Sequence, residues 1–254
     1  LINIASGLGA KGKIAYQDQP LGTAHAILCA RKSLKGNVVV AFADTLFKAD
    51  FTLDKNHDGI IWVNKIDDPS AFGVVKINEE NVITDFVEKP VEFVSDLAII
   101  GIYYFKSGEN LEKELQYLID NDIKDKGEYQ LTNALENMKN KGLSFTTGEV
   151  DEWLDCGNKD ATLYTCERVL DHNKNLNLID NEAEILETEI IEPCYIGPGV
   201  IIQSSIIGPN VSIGSGTKIL NSKIEGSIIQ ENTNIDNAKL AKSMIGNNVY
   251  YNGK

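Results

Sequence analysis

Two aspartates stand where a sheet protein could hold a cation. Asp44 closes the apolar run that starts at Asn37, and Asp155 follows Trp153-Leu154 just ahead of a helical pattern from Lys159. In open sheets flanked by helices, ligands bind in the crevice beyond the carboxyl ends of the strands. A carboxylate at such an edge suits a hard cation such as Mg²⁺, and two of them could clamp one metal on a triphosphate. Taken alone, Asp44 reads more readily as a cap on the next turn.

Two further stretches carry chemistry. Gln17-Asp18-Gln19-Pro20-Leu21-Gly22-Thr23-Ala24-His25-Ala26 leaves one apolar run and opens a helical pattern. Its Gly22-Thr23 pair lets the backbone approach a flat ligand closely and aims free amides at it; an ordinary turn with Thr23 as N-cap is an equal alternative. In Glu88-Lys89-Pro90 the proline cannot donate to a ladder, so the strand before it must end there. A lysine at that point can bind a phosphate oxygen while the glutamate takes sugar hydroxyls. Without context, a surface ion pair is the simpler reading.

Elements of two kinds must position these residues. Short β-branched runs alternate with helical patterns up to Lys174, the signature of a mixed or parallel sheet covered by helices. Strands are expected at Gly12–Tyr16, Asn37–Phe42 (buried), Gly59–Ile66, Gly73–Ile77, Val82–Glu88, Leu97–Phe105 and Leu143–Glu149. Helices are expected at Leu1–Leu8 (closed by Gly9), Thr23–Ser33, Gly108–Asn121, Glu128–Lys141 and Lys159–His172. Beyond Asn175 the pattern changes. An aliphatic residue recurs at 190, 196, 202, 207, 213, 219, 224, 229, 235, 240 and 245, in steps of five or six. That is the hexapeptide rhythm of a β-helix, each short strand pointing one side chain into a prism-shaped core. The expected domains are therefore 1–174 and 175–254.

Composition narrows the classes. The 254 residues carry a net charge of −13, which argues against a nucleic-acid groove or an anionic membrane surface as partner. The longest apolar run, Leu97–Phe105, is about half of the roughly 18 to 20 residues that span a bilayer. Four cysteines without a CxxC pair suit buried thiols in a reducing compartment. With no secretory pattern at the start, the expectation is a cytoplasmic protein.

Taken in order, Gln-Pro-Leu-Gly-Thr-Ala-His-Ala (19–26), Phe-Ala-Asp (42–44), Phe-Gly-Val-Val (72–75), Val-Glu-Lys-Pro (87–90), Ile-Gly-Ile-Tyr-Tyr-Phe (100–105), Gly-Glu-Tyr-Gln-Leu-Thr (127–132) and Trp-Leu-Asp-Cys-Gly (153–157) resemble successive blocks of the sugar-1-phosphate nucleotidyltransferases. The glucose-1-phosphate thymidylyl- and uridylyltransferases belong to that group, and its long members carry a left-handed β-helix. The resemblance implies an α/β Rossmann-like domain, a mixed sheet with helices on both faces, followed by that β-helix. It implies nucleotide binding by Gln17, Pro20, Gly22 and Thr23, and sugar binding by Gly73, Glu88, Lys89 and Tyr103. It also implies Mg²⁺ on Asp44 and Asp155, with Asp44, Lys89 and Asp155 as the catalytic groups. Nucleoside triphosphate (UTP or dTTP) and glucose 1-phosphate would be the substrates, and the protein a homo-oligomer.

The family's first block, a Gly-rich phosphate loop on the first strand, has no counterpart here, which implies an N-terminally truncated chain that is an inactive fragment by itself. Ala43 also replaces the usual glycine before the metal aspartate. A regulatory or scaffold relative that uses the β-helix for assembly is the alternative, but it would have no need of carboxylates at two strand ends. Acyl transfer on the β-helix is a third reading. It lacks a histidine base, since none follows His172.

Overall fold

The computed structural model describes residues 2–49, 53 and 56–253. They pack as two compact units, Leu1–Trp153 and Leu154–Lys254.

In chain order the first unit contains α1 (Ile2–Gly7), α2 (Thr23–Cys29), a 3₁₀ turn at Arg31–Ser33, β1 (Val38–Ala41), β2 (Thr45–Lys48), β3 (Gly59–Lys65), β4 (Val74–Ile77), β5 (Ile83–Val87), β6 (Leu97–Phe105), α3 (Gly108–Asp120), α4 (Leu131–Asn140) and β7 (Phe145–Gly148). A strand β8 (Glu152–Asp155) crosses the division between units. The sheet is mixed, in the order β5-β4-β6-β3-β7, with β1 also on β6. Only β3 and β7 run parallel. The nine-residue β6 is the spine, buried along all but its first residue. One edge of it pairs with β3. The other is shared end to end: β4 meets it at Ala98 and β1 at Ile102–Phe105.

Strand alternation divides the core. Ile61, Val63, Ile99, Tyr103 and Phe105 join α2, α3 and α4 through Ile27, Leu28, Leu111, Leu115, Leu118, Leu131, Leu135 and Met138. Ile60, Trp62, Ile100, Ile102 and Tyr104 form the opposite face, packed with Phe47, Val150 and Trp153. The spacing 111, 115, 118 is one stripe of a helix, which is why α3 can seal the sheet.

Four expectations are corrected. No strand forms at Gly12–Tyr16: residues 10–16 are irregular and exposed, Ile14 and Tyr16 included, and alternation without a pairing partner cannot hold a strand. The strand before Asp44 is not buried. It pairs with β6 and leaves Val39 59% exposed, as an edge strand does. The helix from Thr23 gives way at Ala30 (φ −93°, ψ 18°) to the 3₁₀ turn. The helix expected from Glu128 starts at Leu131, because Asp125 and Glu128 close a backbone turn on each other around Gly127 at φ +87°.

The second unit holds α5 (Lys159–His172), capped at its N-terminus by Asn158, and then a parallel β-solenoid of about four turns, consistent with a left-handed β-helix. Ile190, Ile207, Ile224 and Leu240 stack on one face, and Ile196, Ile213, Ile229 and Ile245 on another. Ile185, Ile202, Ile219 and Ile235 stack on the third. Three aliphatic positions per coil are the five-or-six-residue rhythm made physical. The corners add a ladder that periodicity did not reveal. The Ser222 amide donates to Ser205 Oγ and the Ala238 amide to Ser222 Oγ, each at 3.0 Å, so buried hydroxyls satisfy the turns between coils.

Candidate functional site

The break in β6's second edge organises the first unit. Coming from one end, the Ile99 amide donates to the Gly73 carbonyl (2.8 Å); from the other, the Phe42 amide donates to the Gly101 carbonyl (3.0 Å). Between them no described strand continues, and within β6 Gly101 takes a φ of +82°, which an L side chain rarely adopts. A Cβ there would also sit 3.1 Å from the Phe42 ring. So the chain that carries Asp44 and the chain that carries Gly73 both arrive at one gap in the sheet. Asp44, three residues past β1, is exposed.

Gly73, Glu88 and Tyr103 come together beside that gap. Val74 pairs with Val87, which sets Gly73 next to Glu88. A Cβ on Gly73 would lie 3.1 Å from Glu88 Oε2, so glycine lets the carboxylate come close to the backbone here. Thr132, in the first turn of α4, donates its hydroxyl to the same oxygen at 2.5 Å. Glu88 is thus a nearly buried carboxylate, 9% exposed, held by one short hydrogen bond with Lys89 Nζ 3.8 Å from its other oxygen. Lys89 itself is half exposed and sits at φ +38°, with its amide continuing the ladder to the Phe72 carbonyl. Tyr103 is buried, edge-on to Phe42 at 5.8 Å. Burial first, and the Glu88 charge second, push its phenol well above the ordinary range, so it stays a neutral hydroxyl. Together these groups offer a carboxylate acceptor, a hydroxyl and a cation, a set that suits a polyhydroxylated anion.

The Gln17–Thr23 segment forms a second locus. Gly22 adopts φ +108°, and a Cβ on it would fall 2.5 Å from the Tyr129 carbonyl oxygen. Its close approach is therefore to the Glu128–Tyr129 backbone of this chain. The Ala24 amide, which the sequence left free, donates to Tyr129 O at 2.9 Å. Thr23 is not a side-chain N-cap of its own helix. Gly22 takes the cap position, and the Thr23 hydroxyl reaches over to accept from the Leu131 amide (3.0 Å) and donate to Gln130 (3.2 Å), so it closes α4 instead. Gln17 donates to the Gly22 carbonyl at 3.1 Å. Pro20 is exposed beside it. Thr132, Tyr129 and Gln130 received no role from sequence reasoning, although they lie in the 127–132 block; only the partner, not the motif, shows what each one does.

In the second unit Asp155 ends β8 as expected. Its carboxylate accepts from the Gly157 amide at 3.1 Å, and its carbonyl from Thr165 at 2.7 Å, which pins the strand end to α5. Trp153, in the first unit, packs edge-on against Phe72 at 5.1 Å. All four cysteines are free, with Cys194 buried and the others half-buried.

Among the described residues no group of three or more His, Cys, Asp or Glu side chains is set to hold a metal. Asp44 and Asp155 are carboxylates, and Mg²⁺ commonly takes one or two of these and completes its shell with water and substrate phosphate. No helix among the described residues is long and apolar enough to cross a membrane.

The nucleotidyl transferase family model matches residues 2–172. A glucose-1-phosphate thymidylyltransferase of Streptomyces antibioticus is 28% identical over 258 residues, covering 92% of this chain and 71% of that protein. The bifunctional protein GlmU of Methanococcus vannielii is 28% identical over 268 residues, 93% of this chain and 62% of its own length. The GlmU of Methanococcus aeolicus is 30% identical over 262 residues, again with 62% of that protein covered. The chain thus spans less than two thirds of the GlmU relatives.

Proposed function

The chain belongs to the nucleotidyl transferase family, and from that premise we propose that the protein transfers a uridylyl or thymidylyl group to a sugar 1-phosphate, with glucose 1-phosphate as acceptor. The observation that carries the reading is Glu88, a nearly buried carboxylate anchored by Thr132 close against Gly73. A surface ion pair needs no such buried anchor. Gln17, Pro20, Gly22 and Thr23 take the nucleobase; Gly73, Glu88, Lys89 and Tyr103 take the sugar phosphate.

In the reaction, an oxygen of the sugar 1-phosphate attacks the α-phosphorus of the triphosphate. The new P–O bond forms as the bond from Pα to the bridging oxygen breaks, and pyrophosphate leaves with the electron pair. No covalent enzyme intermediate is needed, so the protein's work is positioning and charge neutralisation. Lys89 holds the attacking phosphate, and Glu88 fixes the sugar by accepting from its hydroxyls. Asp44 and Asp155 are the residues assigned to Mg²⁺, which when bound supplies positive charge to the phosphates. Net acidity is no obstacle, because a cation and a few donors set the local potential.

We assign the catalytic domain to residues 1–174, a boundary that the family match to residue 172 supports, and the β-helix of 175–254 to assembly of a cytoplasmic homo-oligomer. Calorimetry with UTP, dTTP, ATP and GTP tests the substrate class. UTP or dTTP should bind more tightly than either purine nucleotide; tighter binding of ATP or GTP would overturn the assignment.

A further inference from the structure

In the ladders of the β-helix, charged residues meet neutral neighbours. Glu189 faces Ile206, Lys218 lies between Ile201 and Asn234, and Asp236 lies between Leu220 and Asn252. One rung departs from this. Among the described parallel pairs of the β-helix, Lys223 against Lys239 alone sets charge against charge, and both charges are positive. Each is exposed beside an inward-facing aliphatic residue, Ile224 or Leu240. Parallel strands lie about 4.8 Å apart, and like charges directly opposite are destabilising. Among the described residues neither ammonium has an ion-pair or hydrogen-bond partner. Glu225, the next outward residue on the Lys223 strand, makes no ion pair with it and lies outside the groove described next. In a chain of net charge −13, two adjacent unpaired cations are out of character.

The pair lines a groove of about 610 Å³ that runs along the stacked coils. Ser204, Asn221 and Asn237 form its corner, each in the left-handed region at φ +50°, +47° and +51°. Ser204 donates to Glu187 at 3.1 Å and Asn221 to Asp236 at 3.3 Å, so those side chains are engaged. Asn237, on the coil of Lys239, has no side-chain partner among the described residues. Glu189 borders the far end, two coils or about 10 Å from Lys223, where exposed charges are largely screened. It therefore does not neutralise the pair. We propose that Lys223 and Lys239, with the Asn237 amide, form a binding site for a phosphate group on the β-helix. A tetrahedral dianion between the two ammoniums turns a repulsive rung into two charge-assisted contacts, and the amide adds a neutral donor. The chemistry is that of the phosphate group, carried by inorganic phosphate or by a phosphate ester. The site shares no residue with the loci proposed in the first unit and does not rest on their assignment.

Phosphorus NMR of the full chain, titrated with inorganic phosphate in the millimolar range, tests the site. The phosphate line should broaden on binding. The broadening should persist in Lys89→Met, which removes the phosphate-binding lysine proposed for the first unit. In that background Lys223→Met and Lys239→Met should each weaken binding by about two- to fivefold, the order of one exposed charge pair, and the two together should abolish it. Lys218→Met takes the same charge from another face of the β-helix and should leave binding unchanged. Circular dichroism should be the same for all of them, since these lysines are exposed. Equal weakening by Lys218→Met would show a diffuse field in place of a site. Loss of all broadening in Lys89→Met would put phosphate in the first unit alone. Either result overturns the proposal. Glucose 1-phosphate run beside inorganic phosphate on the Lys89→Met protein identifies the source as the compound that binds more tightly and loses its broadening with the lysine pair; if neither loses it, the assignment to Lys223 and Lys239 fails.

Discussion

At the scale of single residues, the strongest constraint on the proposed sugar site is the bond between Thr132 and Glu88. A carboxylate that is nearly out of water depends on its donors, and a 2.5 Å hydroxyl contact is a strong, charge-assisted one. Thr132→Val removes the donor and keeps the shape. KM for the sugar phosphate should rise by about tenfold with kcat within a few-fold, while stability falls by roughly 1–3 kcal/mol because the carboxylate is left under-satisfied; steady-state kinetics and a denaturant melt read the two effects. Asp44→Asn and Asp155→Asn should each lower Mg²⁺-dependent turnover by about 10² to 10³, with circular dichroism unchanged, since the amide is nearly isosteric but lacks the charge. Full activity in either would show that the aspartate is only a cap. Tyr103 supplies a pH test. Its phenol is raised above the ordinary value of 10.0, so the unfolded chain gives up the proton first and the native state is favoured only while the group stays protonated. Stability should therefore be flat on this account below about pH 10 and fall above it, and Tyr103→Phe should flatten that alkaline slope in melts at stepped pH. Cys166, pushed up to about 11 chiefly by burial, should be alkylated at pH 8 far more slowly than a free thiol.

At the scale of elements, the site depends on where short elements stop. Gly22 sits at φ +108° under the Tyr129 carbonyl, and any side chain there must push α2 away from the 128–131 turn. Gly22→Ala should cost more than about 1 kcal/mol of stability and weaken nucleotide and sugar binding together, because Thr23 and Thr132 lie at the two sides of the same α4 start; thermal melts with each ligand would show it. This is also where the sequence was least legible. Strong periodicity exposed β6, α5 and the β-helix, whose limits or stacking residues match their patterns. The strand expected at Gly12–Tyr16 failed, because alternation says nothing about whether a partner strand is present. The late start of α4 was hidden for a related reason: Gly127 at positive φ and a hydroxyl from 108 residues upstream set it, and neither shows in a helical window. The motifs named Gly73, Glu88 and Tyr103 together and the fold brings the three near one another, but the partners that orient them, Thr132 above all, are visible only in space.

At the scale of the whole molecule, the proposed division of labour is between a sheet domain, to which the sugar and base loci are assigned, and a β-helix with a stacked aliphatic core. The β-helix is built of repeated coils around a stacked aliphatic core, and assembly is the role proposed for it. Cleavage at an engineered site near Asn175, which keeps Asp155 and α5 with the first part, should reduce oligomer size in light scattering more than it alters turnover per site. Loss of turnover from a folded, monodisperse first part would assign the β-helix a direct part in the chemistry. The measurement that bears most directly on the proposed function is release of pyrophosphate by the full-length protein from UTP or dTTP, with glucose 1-phosphate and Mg²⁺, alongside Asp44→Asn. The expected result is nucleotide-sugar and pyrophosphate in equal amounts, dependent on Mg²⁺ and lost in the variant. Nucleotide and sugar phosphate bound to a folded protein with no pyrophosphate formed would contradict it and point to a scaffold that has kept the fold without the reaction.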